Sequence, residues 1–276
     1  MIITSISNYY ENLDLNLLSA SLKTKYLGRI SLYFKTIDST NSRAKNIIKS
    51  KLTPLKSGTI LIAEEQSAGR GRLERKWQSP ASSGLLFTIV INTNLDIIQL
   101  PKTTLIVAAA ICTSLKNLNV DAKIKWPNDI FINNRKIGGI LTELINNEDK
   151  TYSLIIGIGL NINTREEDFS QEINNIATSL AIEYRCYFSR ELILAEILNN
   201  FEKLWGDFSQ NLSLENIIKI CKDNSAILNK QIFLIKNGNY EEVLAKDLTS
   251  NGELVIEMNN GSDAIISSGE ISIKLK

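Results

Sequence analysis

The sequence predicts an α+β domain followed by a small all-β barrel of about 50 residues. Strand-like and helix-like segments are mixed along the chain as far as about residue 226, which is typical of an α+β domain. Beyond that point only short strand-like segments occur, separated by Asn-Gly pairs of the kind found in hairpin turns. We therefore divide the 276 residues into a lead-in segment (1–30), a main domain (31–225) and a C-terminal β domain (226–276).

Hydrophobic periodicity and cap residues define the first elements. The lead-in segment is polar apart from one apolar stripe at helical spacing, which predicts a short helix containing Leu13, Leu17, Leu18 and Leu22. Residues 31–37 are predicted to form a strand. Three consecutive side chains that can cap a helix then precede an amphipathic helix over 41–50, namely Asp38, Ser39 and Thr40.

The remaining elements follow from the same signals. In the main domain, strands are predicted at 58–66, 84–92, 122–126, 129–133, 136–146 and 151–163, and helices at 102–118, 189–210 and 213–222. The strand at 84–92 is apolar enough to be buried on both faces. In the C-terminal domain, strands are predicted at 231–236, 240–248, 253–258, 264–268 and 270–276, with turns at Asn237-Gly238, Asn251-Gly252 and Asn260-Gly261.

Composition excludes several classes of protein and of catalytic site. With 43% hydrophobic and 22% charged residues, and Lys+Arg 31 against Asp+Glu 30, the chain is an ordinary globular protein without the positive charge of a non-specific nucleic-acid binder. The chain has no histidine, which excludes Ser-His-Asp triads, His-ligated zinc and imidazole acid–base catalysis. Cys112, Cys186 and Cys221 are far apart, as expected in a reducing compartment.

We also expect a cytoplasmic protein that does not enter a membrane. The longest wholly apolar run, Leu105 to Cys112, is far shorter than the roughly 20 residues that span a bilayer. The first residues contain no basic segment of the kind that begins a secretory signal.

A glycine-rich basic loop is the first segment suited to chemistry. Gly69-Arg70-Gly71-Arg72 directly follows a predicted strand, and Arg75, Lys76 and Trp77 come soon after. Glycines let a backbone approach an anion closely, and arginines offer planar, permanently charged donors. The loop therefore suits a phosphate beside a flat ring, although a solvated basic turn has the same composition.

Three further segments combine polar or small residues with apolar strands. Lys125 to Asp129 places an indole, an amide and two charged groups around a proline, and Lys136 opens an apolar strand that contains Gly138-Gly139. Gly157 and Gly159 alternate on a central strand, which indicates that a group packs flat against it. A surface turn, a strand-end lysine and close helix packing are the structural alternatives.

In this order and spacing, the four segments resemble the biotin–protein ligase family. The matching pieces are IDSTN (37–41), EEQSAGRGR (64–72) with Arg75 and Trp77, KWPND (125–129), KIGGILTE (136–143) and GIGLNIN (157–163). The resemblance implies a mixed central sheet flanked by helices, like that of class II aminoacyl-tRNA synthetases, followed by an SH3-like barrel. The lead-in segment is too short for the helix-turn-helix of the DNA-binding members. The chain departs from the family at Glu74, where a glycine is usual, and this leaves the geometry of the loop open.

The resemblance implies synthesis of biotinyl-5′-adenylate from biotin and MgATP, and then transfer of biotin to a lysine of a biotin carboxyl carrier domain in a biotin-dependent carboxylase. A homodimer formed by edge-strand pairing is compatible with the family. The implied catalytic residues are Lys136, Arg70 and Arg72. Those for biotin are Ser39, Thr40, Asn41, Gln66, Arg70, Gly71, Arg72 and Lys136, those for the nucleotide are Arg72, Arg75, Trp77, Asn128 and Asn161, and Asp129 is the implied Mg²⁺ ligand.

Other functions remain open. A lipoate–protein ligase or octanoyltransferase shares the architecture but needs a long apolar acyl pocket. A nucleic-acid-binding module could use the basic residues 70–76, although the net charge of +1 disfavours it. A non-catalytic binding protein is the third alternative, which the difference at Glu74 keeps open.

Overall fold

The computed structural model describes residues 2–3, 10–52, 54–148, 150–236, 239–267 and 272–275. Its strands are β1 (Ile2–Ile3), β2 (Ser31–Ile37), β3 (Ile60–Gln66), β4 (Gly84–Thr93), β5 (Lys123–Lys125), β6 (Asp129–Ile132), β7 (Arg135–Asn146), β8 (Tyr152–Asn161), β9 (Tyr187–Phe188), β10 (Lys230–Lys236), β11 (Asn239–Leu248), β12 (Leu254–Glu257), β13 (Asp263–Ile266) and β14 (Ser272–Leu275). Its α-helices are α1 (Leu15–Ser21), α2 (Thr40–Ser50), α3 (Thr103–Asn117), α4 (Leu180–Tyr184), α5 (Arg190–Asn211) and α6 (Glu215–Asp223), with 3-10 turns at Ile97–Lys102 and Glu166–Asp168.

The main sheet has seven strands in the order β2-β3-β4-β8-β7-β6-β5. Only β2 and β3 pair in parallel, and the other neighbours are antiparallel, so the sheet is mixed as predicted. The helix α2 packs on one face, against β3, β4 and β8, while α3 and α5 pack on the other. The predicted α+β fold is therefore confirmed.

Alternation along β4 assigns its side chains to these two faces. Phe87, Ile89 and Ile91 belong to the large core beneath α3 and α5. Val90 belongs to the smaller core beneath α2, and Thr88 contacts α2 residues on that same face. As predicted, β4 is buried on both faces, and a fully buried threonine therefore faces α2 from the centre of the sheet.

The helix α3 is an interior helix of the main core. By length and composition alone, Ile97–Asn117 is apolar enough to cross a membrane, with a mean hydropathy of 1.4. Most of α3 is buried, and it packs against α5, α6 and the sheet. This is the arrangement of a core helix that is apolar on all sides.

The C-terminal strands form a five-stranded antiparallel sheet in the order β13-β12-β11-β10-β14. Each of the predicted strands is present in this sheet. The predicted Asn237-Gly238 turn lies outside the described residues. The large core continues into this sheet through Ile232, Val243, Leu254 and Ile256. The sheet is therefore packed on the main domain rather than held by a linker alone.

Three short elements were not predicted from the sequence, namely β1, β9 and α4. The strand β1 pairs with β9, a two-residue strand just before α5, and α4 is a single turn capped by Ser179. All three are too short to show a periodic pattern.

A buried ion pair fastens the lead-in segment to the main domain. The side chains of Arg190 and Glu64 are almost fully buried and lie 2.7 Å apart, and the Glu64 carboxylate also accepts from Leu13 N–H and the Tyr33 hydroxyl. Burial alone would raise the pKa of Glu64, but its bonds to Arg190, Leu13 and Tyr33 outweigh burial and lower it. The ionised Glu64 carboxylate therefore stabilises the folded state fully at a pH above about 4.3, which is the pKa of this group in the unfolded chain. The stabilisation is lost as the pH falls through the lower pKa that Glu64 has in the folded state.

We expect Arg190→Met to lower the free energy of unfolding by about 3–5 kcal/mol, because it leaves the Glu64 carboxylate buried without its cation. The control is Lys219→Met, which breaks the exposed pair with Asp223 and should change stability by about 0.5 kcal/mol or less. Urea denaturation at pH 7 measures both. Equal stabilities of the two variants would show that the buried pair does not secure the lead-in segment.

Candidate active site

A cleft on the α2 face of the main sheet contains nearly all of the predicted site residues. It lies between the start of α2, the loop 69–77 and the middle of β7 and β8. The predicted residues that line it are Ser39, Thr40, Asn41, Gln66, Arg70, Gly71, Arg72, Arg75, Trp77, Asn128, Asp129 and Lys136. Lys125, Lys76 and Leu141 also line it and were not among the predicted site residues.

Asn161 is the predicted site residue that does not line this cleft. It ends β8, is buried, and donates from Nδ2 to the carbonyl oxygen of Thr178. Among the described residues, its Oδ1 atom is buried without a hydrogen-bond partner. Because Thr178 N–H donates to Lys136 C=O, Asn161 supports the backbone of the cleft from behind.

The two alternating glycines of β8 make room for the cleft's side chains. A Cβ on Gly157 would lie 2.4 Å from Asn41 Oδ1, and a Cβ on Gly159 would lie 2.6 Å from the indole ring of Trp77. Both distances are too short for non-bonded contact. The prediction that a group packs flat on this strand is therefore confirmed: the group is the Trp77 indole, with the Asn41 amide beside it.

A β-bulge turns Lys136 into the cleft. On β7, Gly139, Leu141 and Glu143 pair with the β8 residues that face α2, so an even-numbered residue of a regular strand would face the opposite core. The register shifts by one residue against β6, between the Ile130–Gly138 and Phe131–Lys136 pairs. Ile137 consequently enters the main core, and Lys136 lies on the cleft side.

Lys136 is held by a carboxylate and an aromatic ring. Its Nζ atom is 2.6 Å from Asp129 Oδ1 and 5.9 Å from the centre of the Trp77 ring. Gly139 leaves space for this amine, since a Cβ there would be 3.3 Å from Nζ. The cation is thus positioned over an aromatic face with one partly buried counter-charge.

The loop 69–77 forms a tight turn over the cleft. Arg75 N–H donates to Arg72 C=O, Gly71 N–H donates to Arg75 C=O, and Trp77 N–H donates to Gly69 C=O. Leu73 and Glu74 have φ values of 54° and 59°, the φ signs of a type I′ turn, which favours glycine. The departure at Glu74 therefore does not prevent the turn, but it places a side chain where glycine has no steric cost.

Two arginines join this loop to the sheet. Arg70 Nη2 is 2.7 Å from Glu143 Oε2, and Arg72 Nη1 donates to Asn128 Oδ1 at 2.8 Å. The other carboxylate oxygen of Glu143 accepts from Lys45 on α2. Burial raises the pKa of Glu143, but the bonds from Lys45 and Asn41 and the charge of Arg70 outweigh it and lower the pKa. Glu143 therefore stays ionised and holds the loop to α2 and β7.

A buried polar network lies beneath the start of α2. The Thr88 hydroxyl is 2.6 Å from Asn41 Oδ1 and 2.7 Å from Thr40 Oγ1, while Asn41 Nδ2 donates to Glu143. Gln66 Oε1 accepts from the Thr40 amide. The network fixes the orientation of the side chains that line this end of the cleft. Thr88 and Glu143 were missed from the sequence, although a lone threonine within the apolar run 84–92 was a readable signal.

Ser39 acts as the N-cap of α2. Its hydroxyl accepts from Ser42 N–H at 3.4 Å while the residue also lines the cleft. The capping role considered from the sequence is therefore present, and the Thr40 hydroxyl belongs to the network with Thr88 instead.

The charges at the other end of the cleft are predominantly positive. Burial lowers the pKa of Lys125, the positive charges of Lys136 and Arg75 lower it further, and Asp129 partly opposes this. Among the described residues, no group of three acidic or cysteine side chains could hold a metal ion. A single carboxylate, Asp129, fits a Mg²⁺ ion that is bound mainly by nucleotide phosphates and water.

Several known proteins are similar to the chain. The Biotin/lipoate A/B protein ligase family model matches residues 33–161. The chain is 32% identical over 250 residues to the bifunctional ligase/repressor BirA of Bacillus subtilis, covering 89% of this chain and 75% of that protein. Identity to the Bacillus spizizenii protein of the same name is 36% over 188 residues, covering 68% of this chain and 57% of that protein, so the chain spans little more than half of that relative. The biotin protein ligase from Aquifex aeolicus in complex with biotin and ATP has a TM-score of 0.77 at 27% identity, covering 90% of this chain and 100% of that chain.

We expect Glu74→Gly to stabilise the turn of the loop by about 1 kcal/mol, because glycine adopts a φ of 59° without steric cost. Amide hydrogen exchange at Gly71, Arg75 and Trp77, which donate within the loop, should slow accordingly. Glu74→Ala removes the same carboxylate without giving this backbone freedom and is the control. Equal exchange in both variants would mean that the left-handed conformation imposes no strain.

We expect Thr88→Val to destabilise the protein by about 1–3 kcal/mol, because Asn41 Oδ1 loses its buried donor. Thr59→Val is the matched control, since Thr59 is also buried but its hydroxyl has no partner among the described residues. Removing the Thr59 hydroxyl should leave the melting temperature unchanged or raise it. If Thr88→Val is as stable as Thr59→Val, the network beneath α2 contributes nothing.

Proposed function

Because the chain belongs to the biotin–protein ligases of the biotin/lipoate A/B protein ligase family, we propose that it activates biotin with MgATP and transfers it to a lysine of a carrier protein. The chain is an enzyme of the class that forms a carbon–nitrogen bond. The acceptor that we propose is the biotin carboxyl carrier domain of a biotin-dependent carboxylase. A cytoplasmic location agrees with the absence of disulfides among the described cysteines.

The observation that carries the proposal is the convergence of Arg70, Arg72 and Lys136 on one cleft beside the Trp77 ring. Joining a carboxylate to a phosphate brings two anions together, and negative charge builds up further in the transition state. Fixed cations directed at that charge supply the necessary stabilisation.

In the first step, a carboxylate oxygen of biotin attacks the α-phosphorus of ATP, and the bond to pyrophosphate breaks. Lys136 lines the cleft beside Asp129 and the Trp77 ring, and it would neutralise both the carboxylate and the α-phosphate. Arg70 and Arg72 approach from the loop side. Trp77 would stack beside the adenylate, with Arg75 and Asn128 at the nucleotide, and Mg²⁺ would enter with ATP beside Asp129.

In the second step, the amine of the carrier lysine attacks the acyl carbon, AMP leaves, and the amine loses a proton. Asp129 would be the carboxylate of the cleft that accepts this proton from the carrier amine, once a substrate anion has taken its place at Lys136. Water must be excluded until the carrier arrives, because it would hydrolyse the adenylate.

The opposite end of the cleft suits the ureido ring of biotin, which has both N–H donors and a carbonyl acceptor. Thr40, Asn41 and Gln66 present oxygen and nitrogen atoms there, and the network with Thr88 limits their rotation. The ureido ring can form further hydrogen bonds with these groups, whereas an apolar lipoyl or octanoyl group cannot, which supports biotin over lipoate.

The arginines of the loop support the ligase over a nucleic-acid-binding module. Arg70 and Arg72 are bonded to Glu143 and Asn128 across the cleft, whereas a binding surface for a long polyanion would present such side chains outward. The presence of Arg70, Arg72 and Lys136 in one cleft likewise supports an enzyme over a non-catalytic binding protein.

Mobility of the loop 69–77 is part of the proposal. The cleft has a volume of about 160 Å³, whereas pockets for small ligands typically have about 300–1,000 Å³. Outward movement of the loop would give two substrates more room, and closing it would exclude water. Hydrogen exchange in the loop should slow when biotin and ATP are added together.

Pyrophosphate release tests the function directly. We expect release with ATP plus biotin and none with ATP plus lipoate. Lys136→Ala should reduce the rate about 10²–10³-fold, because it removes the cation between the reacting anions, without lowering the melting temperature.

Lys123→Ala is the control for the lysine substitution. It removes a lysine from β5 whose amine pairs with Asp121 outside the cleft, so its turnover should equal that of the wild type. Normal turnover by Lys136→Ala would disprove the role of Lys136. Pyrophosphate release with ATP plus lipoate, and none with ATP plus biotin, would assign the protein to the lipoate–protein ligases.

A further inference from the structure

A buried hydrogen bond joins a turn of the C-terminal sheet to a segment that lines the cleft. The indole N–H of Trp126 donates to the carbonyl oxygen of Gly252 at 2.9 Å, and both residues are buried. Trp126 belongs to the segment that leads to Asn128 and Asp129, which hold Arg72 and Lys136. Gly252 lies in the turn between β11 and β12.

A side chain at Gly252 would displace buried side chains of the main domain. Its φ is +82°, and a Cβ would lie 2.1 Å from Leu105 Cδ1 on α3 and 3.3 Å from Ile218 Cδ1 on α6. The adjacent Asn251 accepts from Lys102 Nζ at 3.2 Å. The turn thus packs against α3 and α6, and the carbonyl oxygen of Gly252 points at Trp126.

A second contact holds the same segment from its other end. Ile124 N–H donates to Asn224 C=O at 2.7 Å, and Ala226 N–H donates to Ile124 C=O at 2.8 Å. These bonds join β5 to the residues that lead into the C-terminal sheet. Ile124 and Trp126, which precede Asn128 and Asp129, are therefore both hydrogen-bonded to residues that follow α6.

We propose that the Asn251-Gly252 turn positions Asn128 and Asp129 through Trp126, so that the C-terminal sheet is a structural component of the adenylation site. Gly252 is a positioning residue, which acts on Asn128 and Asp129 through Trp126, a residue that also lines the cleft. The consequence for catalysis rests on the proposed function. The ureido end of the cleft, formed by α2 and β3, is independent of this contact.

The chain contains a matched control turn. In both turns the glycine N–H donates to the carbonyl oxygen three residues earlier, from Gly252 to Thr249 and from Gly261 to Met258. The φ of Gly261 is +81°, and a Cβ there would meet nothing within 4 Å. Gly261→Ala therefore introduces the same backbone strain without disturbing the main domain.

We expect Gly252→Ala to lower kcat for pyrophosphate release between about tenfold and 10²-fold, as a displacement of about 1 Å would. Its Kd for biotin, measured by calorimetry, should rise by a smaller factor than kcat falls, because only the carboxylate end at Lys136 is disturbed and the ureido end is not. Amide exchange at residues 124–130 should accelerate. Gly261→Ala should match the wild type in all three measurements.

Two results would overturn the proposal: equal kcat values for the two glycine variants, or a loss of biotin binding as large as the loss of kcat, which indicates general unfolding. If Gly252→Ala does not fold, Trp126→Phe removes the N–H donor together with part of the ring and keeps an aromatic side chain, and a wild-type kcat in that variant would also overturn the proposal. A wild-type protein that releases no pyrophosphate refutes the proposed function alone. The exchange measurements still decide the coupling in that case.

Discussion

The cleft depends on pairing each of its principal cations with a partner from the protein itself. Lys136 pairs with Asp129, Arg70 pairs with Glu143, and Arg72 donates to the Asn128 side chain. A partly buried cluster of positive charges would otherwise repel itself and destabilise the empty site. Because the partners are carboxylates and an amide, an incoming carboxylate or phosphate can replace them at the same cations. The cleft is therefore stable without ligand and remains ready to bind two anions.

Backbone geometry determines whether these charges reach one another. The bulge at Ile137 transfers Lys136 from the core face to the cleft face, and the glycines of β8 leave the depth that Asn41 and Trp77 occupy. The left-handed turn at Leu73 and Glu74 returns the loop so that Trp77 reaches Gly159. None of these features adds charge. Without any one of them, however, a charged or aromatic group would be displaced by the length of a side chain.

The sequence predicted the elements well because their signals are local. Period-two runs, N-caps such as Ser39 and Asn-Gly turns identified almost every strand and helix. The candidate residues came from local motifs, and all of them except Asn161 line one cleft. What the sequence could not predict depends on contacts between distant segments: the bulge needs the β6 register, Glu143 gains its role from Arg70 and Lys45, and Thr88 gains its role from α2. The contact of Trp126 with Gly252 joins residues 126 positions apart, and no local pattern contains it.

Access to the cleft and its positive charge are physically coupled. Arg70, Arg72 and Trp77 all lie on the loop 69–77, whereas Lys136 and Asp129 belong to the sheet. Opening the loop would break the bonds to Glu143 and Asn128 and would move the four loop cations and the aromatic ring away together, namely Arg70, Arg72, Arg75, Lys76 and Trp77. An open cleft would thus retain Lys125 and the Lys136–Asp129 pair, which would hold two anions less strongly than the closed cleft. In the proposed mechanism, closing would return the loop cations and exclude water in the same movement, so the electrostatic field needed to join two anions would be complete only when the bound groups are also protected from hydrolysis.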